Sequence, residues 1–393
     1  MLIRYRFNNF CSFHCESEFS MCAAAGKVKK RFPDNYVSVE PDYDLLKTAV
    51  IVGENAGGKS NFINSLRFFK SMFSNNEPVR SVYSYMNAMS IQEDEMPQQD
   101  FEICFLAENG KIYDYRVMID REGISLETLK YAKKRKAAFS TVFHIERTSD
   151  GNGYENNRGK VKAEVKTILK NGRIGLGLFV SKLALLGNED AVQTMQWMLN
   201  KLYPVTVALD YESDVKRQED DLRILMDERY LEIFRMVDYS ICRVEVDKEK
   251  PYSKSTIIRR DSRGNCFSRE LQMDSTGVRE FFAWAVQIFR VVYENKVVFA
   301  DEMDRVLNPI LSDRVIAFIN GFNHTGQFVF TTHNVLHLDL MNYMKEQIYF
   351  ITKDRDNLTS EMYSLADFPE VRYETTKVYE FYLKGVLGGT AFE

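Results

Sequence analysis

The octapeptide GENAGGKS at residues 53–60 limits what this chain can fold into more than any other stretch does. It follows the apolar run Thr48–Val52 and precedes residues 61–73, in which phenylalanine and leucine recur at helical spacing. This order predicts a buried strand, a glycine-rich loop and a helix, which is the context that a phosphate-binding loop requires. The sequence therefore predicts an α/β nucleotide-binding domain and leaves open what the nucleotide is used for.

The loop contains backbone and side-chain groups suited to phosphate. Its glycines allow successive N–H groups to point at phosphate oxygens, at the start of a helix whose dipole favours anions. Lys59 is predicted to be a catalytic cation that reaches the β- and γ-phosphates, and the Ser60 hydroxyl is predicted to bind Mg²⁺. A plain glycine turn would not explain why both residues follow. The residues predicted to bind ATP here are Gly53, Glu54, Asn55, Ala56, Gly57, Gly58, Lys59, Ser60 and Asn61.

The second candidate segment is KVVFADEMDRVLNP, residues 296–309. Four apolar residues lead to Asp301, which the pattern places at the carboxyl end of a buried strand, where it can bind Mg²⁺. Glu302 follows and can act as the general base for an attacking water. Adjacent acids after a strand also occur as plain caps, but their pairing with the glycine loop favours catalysis.

The third candidate is His333, in VFTTHNV. It is predicted to end a strand that follows the Asp301 strand by one helix, and in a parallel sheet both strand ends open on the same side. A histidine there can hydrogen-bond the γ-phosphate or the attacking water. A lone histidine at a strand end is usually structural, but the order of the segments favours a catalytic role.

The fourth candidate is LQMDSTGVREFFAWA, residues 271–285, in which Ser275 and Gly277 precede an amphipathic helix. A helix N-terminus of this kind presents a hydroxyl and free N–H groups to an anion. Taken alone, the segment would be an ordinary helix cap. The chain order of glycine loop, insertion, Ser-x-Gly, acidic strand and histidine strand is nevertheless that of ABC-type ATPases.

Composition and charge limit the number of domains, the binding partners and the cellular compartment to expect. The 393 residues, 45% of them hydrophobic, can build one large or two ordinary domains. A net charge of -4 gives no global positive field, so any contact with nucleic acid would have to be local. No apolar run approaches the ~18–20 residues of a membrane span, the start lacks a secretory pattern, and six cysteines are typical of reduced thiols. We therefore expect a cytoplasmic protein that does not bind membranes.

Pattern changes along the chain predict three regions. Residues 1–126 form an N-terminal lobe of paired strands around the glycine loop, with a hairpin signal at Asn109-Gly110. Residues 127–249 are predicted to be a mainly helical insertion. Residues 250–393 form a C-terminal lobe, which begins with a hairpin around Gly264 and continues with alternating helices and apolar strands.

These segments resemble the ABC/SMC-like ATPases related to RecF, and among them the short AAA-type ATPases of bacterial defence islands. The opening RYRFNNFCSF resembles that family's Asn-Phe-x-Ser-Phe strand, through Asn9, Phe10, Ser12 and Phe13. Residues 274–278 resemble the family's Glu-Ser-x-Gly-Thr signature, although the acid is shortened and the last position differs.

The C-terminal part extends the resemblance. DEMDRVLNP is similar to Asp-Glu-x-Asp-x-x-Leu-His-Pro, with Asn308 in place of histidine, and TTHN matches. The tail RYETTKVYEFYLKGVLGG resembles a terminal Tyr-x-x-Gly-x-x-Gly-Gly element. The likeness is weak across residues 130–245. It implies an ABC-type P-loop ATPase head of layered β-sheets and helices with a mainly helical insertion.

The resemblance also implies a composite site for ATP and Mg²⁺. Two heads would sandwich two nucleotides, so Ser275 and Gly277 of one copy would contact the γ-phosphate bound by the other, and Asp304 would link the two sites. ATP hydrolysis would then need a homodimer or a higher homo-oligomer. Either Gln98 or Gln99 is a candidate for the glutamine that senses Mg²⁺, and the sequence does not choose between them.

The output of such an ATPase is suggested by the defence systems of the AbiL, RloA/RloB and PARIS types, which this chain resembles and in which an ATPase is paired with a Toprim-like nuclease. Residues 334–393 are too few for that nuclease and the closing strands of the head, so a separate effector chain is expected. The leading hypothesis is an ATPase that acts as sensor or scaffold in an anti-phage, abortive-infection system.

Two other functions stay open. A DNA repair or recombination ATPase would clamp duplex DNA through basic clusters, and a nucleotide-dependent structural protein would turn over slowly. The acidic total favours solvated surface for these clusters. The candidate clusters are Lys27, Lys29, Lys30 and Arg31, then Lys130–Lys136, and then Arg259, Arg260 and Arg263.

Overall fold

The computed structural model describes residues 1–40, 42–74, 79–148, 153–170, 177–206, 215–303 and 307–388. The strands are β1 (Leu2–Asn8), β2 (Ser17–Ser20), β3 (Tyr36–Val39), β4 (Tyr43–Leu46), β5 (Thr48–Gly53), β6 (Gln99–Leu106), β7 (Ile112–Ile119), β8 (Ile124–Ala132), β9 (Ser140–Arg147), β10 (Tyr154–Gly159), β11 (Leu202–Thr206), β12 (Ile241–Glu245), β13 (Thr256–Arg260), β14 (Cys266–Glu270), β15 (Val297–Asp301), β16 (Gln327–Thr332), β17 (Ile348–Lys353) and β18 (Ser360–Ser364). The α-helices are α1 (Lys59–Ser74), α2 (Ala88–Glu93), α3 (Lys162–Lys170), α4 (Phe179–Leu185), α5 (Glu189–Asn200), α6 (Val215–Leu225), α7 (Glu228–Phe234), α8 (Pro251–Lys254), α9 (Thr276–Glu294), α10 (Pro309–Gly321) and α11 (Val378–Leu383).

A parallel core sheet positions the candidate site. Its strand order is β11-β15-β16-β5-β17-β18, and only β18 runs antiparallel to its neighbour. All six residues of β5 are buried, as expected of a strand covered on both faces. Because β5, β15 and β16 are parallel, their last residues Gly53, Asp301 and Thr332 meet at one edge of the sheet.

A seven-stranded antiparallel sheet forms the second layer, in the order β10-β9-β8-β7-β6-β1-β2. Period-two alternation turns the rings of Tyr5 and Phe101 toward helix α1. Phe69 of α1 stacks on both, with centroid distances of 6.1 and 5.5 Å, and the Tyr5 hydroxyl donates to Ser65 Oγ at 3.0 Å. Helix α1 is thus held between the two sheets.

The other face of the core sheet is covered by α9 and α10. Alternate residues of β5 divide between the two cores: Ala49 and Ile51 face α1, whereas Val50 and Val52 face α9. Trp284 of α9 is fully buried and packs edge-on to Phe328 of β16 at 6.2 Å. The layers are therefore antiparallel sheet, α1, core sheet, and α9 with α10. The predicted layered α/β head is confirmed.

Helix α9 returns the chain to the start of β15. It ends at Asn295, whose left-handed φ of 53° closes the helix before β15 begins two residues later. The 19 residues of α9 run back along the sheet against the direction of β15. The N-terminus of α9, with Ser275 as its cap, therefore lies on the side of the sheet where β15 ends.

The predicted hairpins are present, but the predicted region boundary differs. Gly110 (φ 74°) lies between β6 and β7, and Gly264 (φ 89°) lies between β13 and β14. Residue 127, where the insertion was expected to begin, lies inside β8, and β8–β10 extend the antiparallel sheet to Gly159. Helices α3–α7 follow only from Lys162 onward.

The insertion is also not separate from the head. Strand β11, from within residues 127–249, pairs with β15 as the edge of the core sheet. It contains Pro204, which removes a backbone donor and is tolerated at a sheet edge. Because a proline within a run of residues argues against a strand, the sequence pattern did not predict β11.

Candidate nucleotide site

The glycine loop is shaped by close contact with β17 and β18. A Cβ at Gly53 would lie 2.2 Å from Ile351 O, so only glycine permits the pairing of β5 with β17. Gly58 has φ +119°, and a Cβ there would lie 2.3 Å from Ser360 Oγ. Ala56 adopts a left-handed φ of 60°. The glycines at both ends of the loop are therefore required by the chain's own packing.

Lys59 and His333 meet across the sheet edge. The Lys59 side chain is buried, and its Nζ donates to Gly53 O and Glu54 O, each at 2.8 Å. The same Nζ lies 3.5 Å from His333 Nδ1. His333 follows directly after β16 and is exposed. Two of the predicted catalytic residues, 274 positions apart, are thus neighbours.

The acidic segment is organised by a threonine that sequence analysis did not single out. Asp301 ends β15, and Thr331 of the adjacent strand β16 donates its hydroxyl to Asp301 Oδ1 at 2.7 Å. The Glu302 N–H donates to the same Thr331 Oγ1 at 2.8 Å. Glu302 has a left-handed φ of 51°, which is costly for a residue with a Cβ and is typical of functional sites. Thr331 therefore holds the Asp301 carboxylate and the Glu302 backbone.

The Ser-x-Gly segment is exposed at the start of α9. Ser275 is the N-cap, and its Oγ accepts from the Val278 N–H at 3.4 Å. Nothing lies within 4 Å of a Cβ built on Gly277. Asp274 is tied to Arg259 of β13 at 2.7 Å, and Arg259 also reaches Asp238 at 2.7 Å. Ser275 precedes the helix as predicted, whereas Gly277 lies within its first turn. A role of either residue in ATP binding stays a prediction.

The segment after Glu302 is only partly described. Asp304 lies outside the described residues. Asn308 is the N-cap of α10, with Oδ1 accepting from the Leu311 N–H at 2.9 Å, and Pro309 follows at the first helical position. Asparagine at the place where the resembling family has histidine thus serves as a helix cap.

The two candidate glutamines have different surroundings. Gln99 is fully buried, and its Nε2 donates to Asn9 O at 2.8 Å and Tyr85 O at 2.9 Å. Gln98 is exposed, and its backbone oxygen accepts from Asn9 Nδ2 at 2.9 Å. Gln99 therefore holds the N-terminal segment in place, and Gln98 is the accessible candidate for sensing Mg²⁺.

The C-terminal helix approaches the loop. Tyr382 of α11 stacks on Phe350 of β17 at 5.6 Å, and Phe350 pairs in register with Val52 of β5. Burial, and then the Glu54 carboxylate, raise the pKa of Tyr382 to about 12. The tail that resembles the family's terminal element therefore lies beside the glycine loop.

Comparison with known families and structures gives two kinds of match. Residues 49–161 match the family described as "AAA domain, putative AbiEii toxin, Type IV TA system". The SMC head domain from Thermotoga maritima is 16% identical over 92% of this chain and 98% of its own, with a TM-score of 0.42. The Smc head with an extended coiled coil from Pyrococcus furiosus, bound to the C-terminal domain of ScpA, is 13% identical over 92% and 96%, with a TM-score of 0.45.

Curated proteins returned no match. The AAA match covers β5, the glycine loop, α1 and most of the antiparallel sheet. The match therefore assigns the glycine loop and its flanking strand and helix to an AAA-type domain. Across the described ranges, no helix is both long and apolar enough to cross a bilayer.

Proposed function

We propose that this protein binds and hydrolyses ATP with Mg²⁺ as an ABC/SMC-like ATPase. The observation that carries the proposal is the meeting of the Lys59, Asp301, Glu302 and His333 segments at one edge of a parallel sheet, beside a glycine loop. The residues fit a nucleotide because the loop leads directly into the N-terminus of the 16-residue helix α1, and Asn55, Ala56 and Ser60 are exposed there.

Each side chain has a role that its position supports. Lys59 would neutralise charge on the transferred phosphoryl group, and Ser60, which is exposed at the start of α1, would hold Mg²⁺ together with Asp301. Glu302 would take the proton of the attacking water, since Thr331 holds its backbone at the strand end. His333 would orient that water or the γ-phosphate from its place beside Lys59.

A second copy would complete the site. Ser275 and Gly277 lie at an exposed helix start whose surroundings within the chain do not require a glycine. Large apolar side chains flank the site segments and are exposed: Met273 at 70%, Ile310 at 67% and Leu336 at 62%. Exposed apolar side chains beside the site segments suit an interface. Two heads closing on two ATP molecules would bury these residues and place Ser275 against the partner's γ-phosphate.

The cellular role we propose is a sensor or scaffold of an anti-phage, abortive-infection system that controls a separate effector, with a Toprim-like nuclease as the candidate. The description of the family that matches residues 49–161 names a "putative AbiEii toxin" and a type IV toxin–antitoxin system, and this supports a defence setting. Nucleotide-driven closure of two heads would give the two states needed to hold and release an effector.

The second candidate function, a duplex DNA clamp, is favoured by one surface. All five residues of β14 are exposed, and the β13–β14 hairpin carries Arg260, Arg263 and Arg269 on its exposed surface. The cluster at 27–31 is less available, because Lys29 pairs with Asp44 and Arg31 pairs with Glu374. Duplex binding that weakens steeply with salt, and that is lost on Arg260→Glu with Arg263→Glu, would support the clamp.

The deciding experiment is mass photometry of Glu302→Gln protein with and without Mg²⁺-ATP. We expect ATP-dependent dimers or larger assemblies, because ATP stays bound when the base is removed. The matched control is Ser275→Arg in the same background, which should prevent assembly without weakening ATP binding by the single head. Assembly that retains a co-purified operon protein would support the effector role. Assembly only on added duplex DNA would support the clamp, and a monomer under all conditions would contradict the composite site.

A further inference from the structure

Two serines that are distant in the sequence meet beside the glycine loop. Ser12 belongs to the N-terminal Asn-Phe-x-Ser-Phe segment, and Ser360 opens β18. Their Oγ atoms lie 2.7 Å apart, and the Ser360 N–H donates to Ser12 O at 2.7 Å. Ser360 is buried, with 3% of its surface exposed. A hydroxyl at this depth needs defined partners.

Those partners are parts of the loop. Ser360 Oγ lies 2.6 Å from Gly57 O. Asn61 Nδ2, from the first turn of α1, donates to Ser12 Oγ at 2.8 Å. The serine pair thus connects the residues on either side of Gly58-Lys59-Ser60. Asn61, which the sequence placed among the nucleotide-binding residues, directs its amide nitrogen to Ser12.

The hydrogen positions in this network follow from the chemistry of its groups. A carbonyl oxygen can only accept, so the Ser360 hydroxyl donates to Gly57 O. That hydroxyl has one hydrogen, so the Ser12 hydroxyl donates to Ser360 Oγ. Ser12 Oγ in turn accepts from the Asn61 amide. The result is a one-way chain from Asn61 through Ser12 and Ser360 to Gly57 O, in which each bond polarises the next.

The chain fixes the direction of one peptide group. In a trans peptide, the carbonyl of one residue and the N–H of the next point in opposite directions. Because Gly57 O is held toward Ser360, the Gly58 N–H is turned to the opposite side of the loop, away from Ser360. A Cβ on Gly58 would lie 2.3 Å from Ser360 Oγ and 3.0 Å from Ser12 Oγ. The two serines can therefore pack against the loop only because residue 58 is glycine.

We propose that Ser12 and Ser360 are positioning residues for nucleotide binding, which hold the Gly57–Gly58 peptide with its N–H toward the phosphates. This inference rests on the proposed ATP site and adds two residues to it that do not touch the nucleotide. It also gives a function to the Asn-Phe-x-Ser-Phe segment and to β18.

The test compares the dissociation constant for Mg²⁺-ATP and the thermal midpoint of six proteins: wild type, Lys59→Ala, Ser12→Ala, Ser360→Ala, the double serine variant and Ser364→Ala. Ser12→Ala and Ser360→Ala should each weaken ATP binding about tenfold. The double serine variant should also bind ATP only about tenfold more weakly than wild type, because one break already interrupts the hydrogen-bond chain. Ser364 also lies on β18, and its hydroxyl accepts from the Ala366 N–H at 3.1 Å, remote from the loop. Its removal should lower the thermal midpoint and leave ATP affinity unchanged.

The outcomes separate this inference from the proposed function. ATP binding by wild type with unchanged affinity in Ser12→Ala and Ser360→Ala would overturn the positioning role and leave the ATP site standing. Losses that multiply in the double variant would overturn the one-way chain. If Ser364→Ala weakens binding as much as Ser360→Ala, the effect is general destabilisation and the inference is wrong. No binding by wild type would overturn the proposed function and this inference with it. If Ser360→Ala does not fold, Ser12→Ala decides, since Ser12 is only half-buried.

Discussion

The glycine loop and the Ser-x-Gly segment are both phosphate-binding candidates, yet the chain treats them differently. At the loop, Gly53 and Gly58 are enforced by contacts within the chain, with Ile351 O and Ser360 Oγ each closer than 2.5 Å to the missing Cβ. At the helix start, Gly277 meets nothing within 4 Å. The difference teaches that the chain encloses one half of the proposed site by itself and leaves the other half open, as a site shared between two copies would require.

The largest expected effect is on the enclosed half. Lys59→Ala removes a buried cation that contacts two loop carbonyls and lies beside His333. Turnover should fall by at least about 10²-fold, because charge on the transferred phosphoryl group would no longer be neutralised. Steady-state phosphate release measures it. Lys166→Ala, which removes an exposed lysine from α3, is the control and should keep the activity. Unchanged turnover in Lys59→Ala would contradict the site.

Gly53→Ala should come next, as a loss of stability. Its Cβ would meet a backbone oxygen of β17 at 2.2 Å, and backbone cannot move aside as a flexible side chain can. Overpacking of this kind costs about 1–3 kcal/mol or more. Urea unfolding measures the free energy. A variant as stable as wild type would show that β5 and β17 can separate, and would remove the contrast with Gly277.

The free energy of unfolding should also depend on pH, through the buried Glu127 of β8. Burial raises the pKa of Glu127 from 4.5 to about 7, although the N–H groups of Val180 and Phe179 and the Tyr115 hydroxyl donate to its carboxylate and hold it down. Between about pH 4.5 and 7 the folded protein keeps a proton that the unfolded chain has lost. The free energy of unfolding should therefore fall as pH rises through this window, by up to about 1.4 kcal/mol per pH unit, and this residue adds no further change above it.

The measurement is the difference between wild type and Glu127→Gln in urea unfolding from pH 5 to 8. The comparison is needed because burial also raises the pKa of Asp114, to about 6, with the same sign. Glu127→Gln should flatten the slope between pH 5 and 7. Equal slopes in the two proteins would show that Glu127 does not hold a proton in this range.

Thr331→Val sharpens the comparison within the enclosed half. It removes the hydroxyl that donates to Asp301 and accepts from the Glu302 N–H, while keeping the shape and β-branching of the side chain. We expect kcat to fall about tenfold, the effect of one or two lost hydrogen bonds. ATP affinity should change less, because the glycine loop is untouched. Thr128→Val, which removes a buried hydroxyl that donates to Phe143 O in the antiparallel sheet, is the control. A loss of affinity without a loss of kcat would be the contrary result.

The sequence was informative where the chemistry is local. The structure has several local features where the sequence predicted them, because each depends on neighbouring residues. They are the strand, loop and helix from Thr48 to Ser74, the turns at Gly110 and Gly264, and the helix cap at Ser275. The roles of Thr331 and Ser360 could not be predicted, because their partners lie 30 and 303 positions away and are set by strand order. Strands β8–β10 and the proline-containing β11 were missed for a similar reason, since only pairing with distant strands makes them part of a sheet.

The smallest expected effect on folding belongs to Gly277→Ala, and it tests the open half most directly. With nothing within 4 Å of the new methyl group and an ordinary helical position in the first turn of α9, stability should stay within about 0.5 kcal/mol of wild type. If a second copy brings its γ-phosphate against this backbone, the same methyl group should weaken ATP-dependent assembly in the Glu302→Gln background. Light scattering across an ATP titration measures it, with Arg279→Ala, exposed two residues further along α9, as the control. A variant that is stable, binds ATP and no longer assembles would show that Gly277 is there for the partner. Normal assembly would place the composite interface elsewhere.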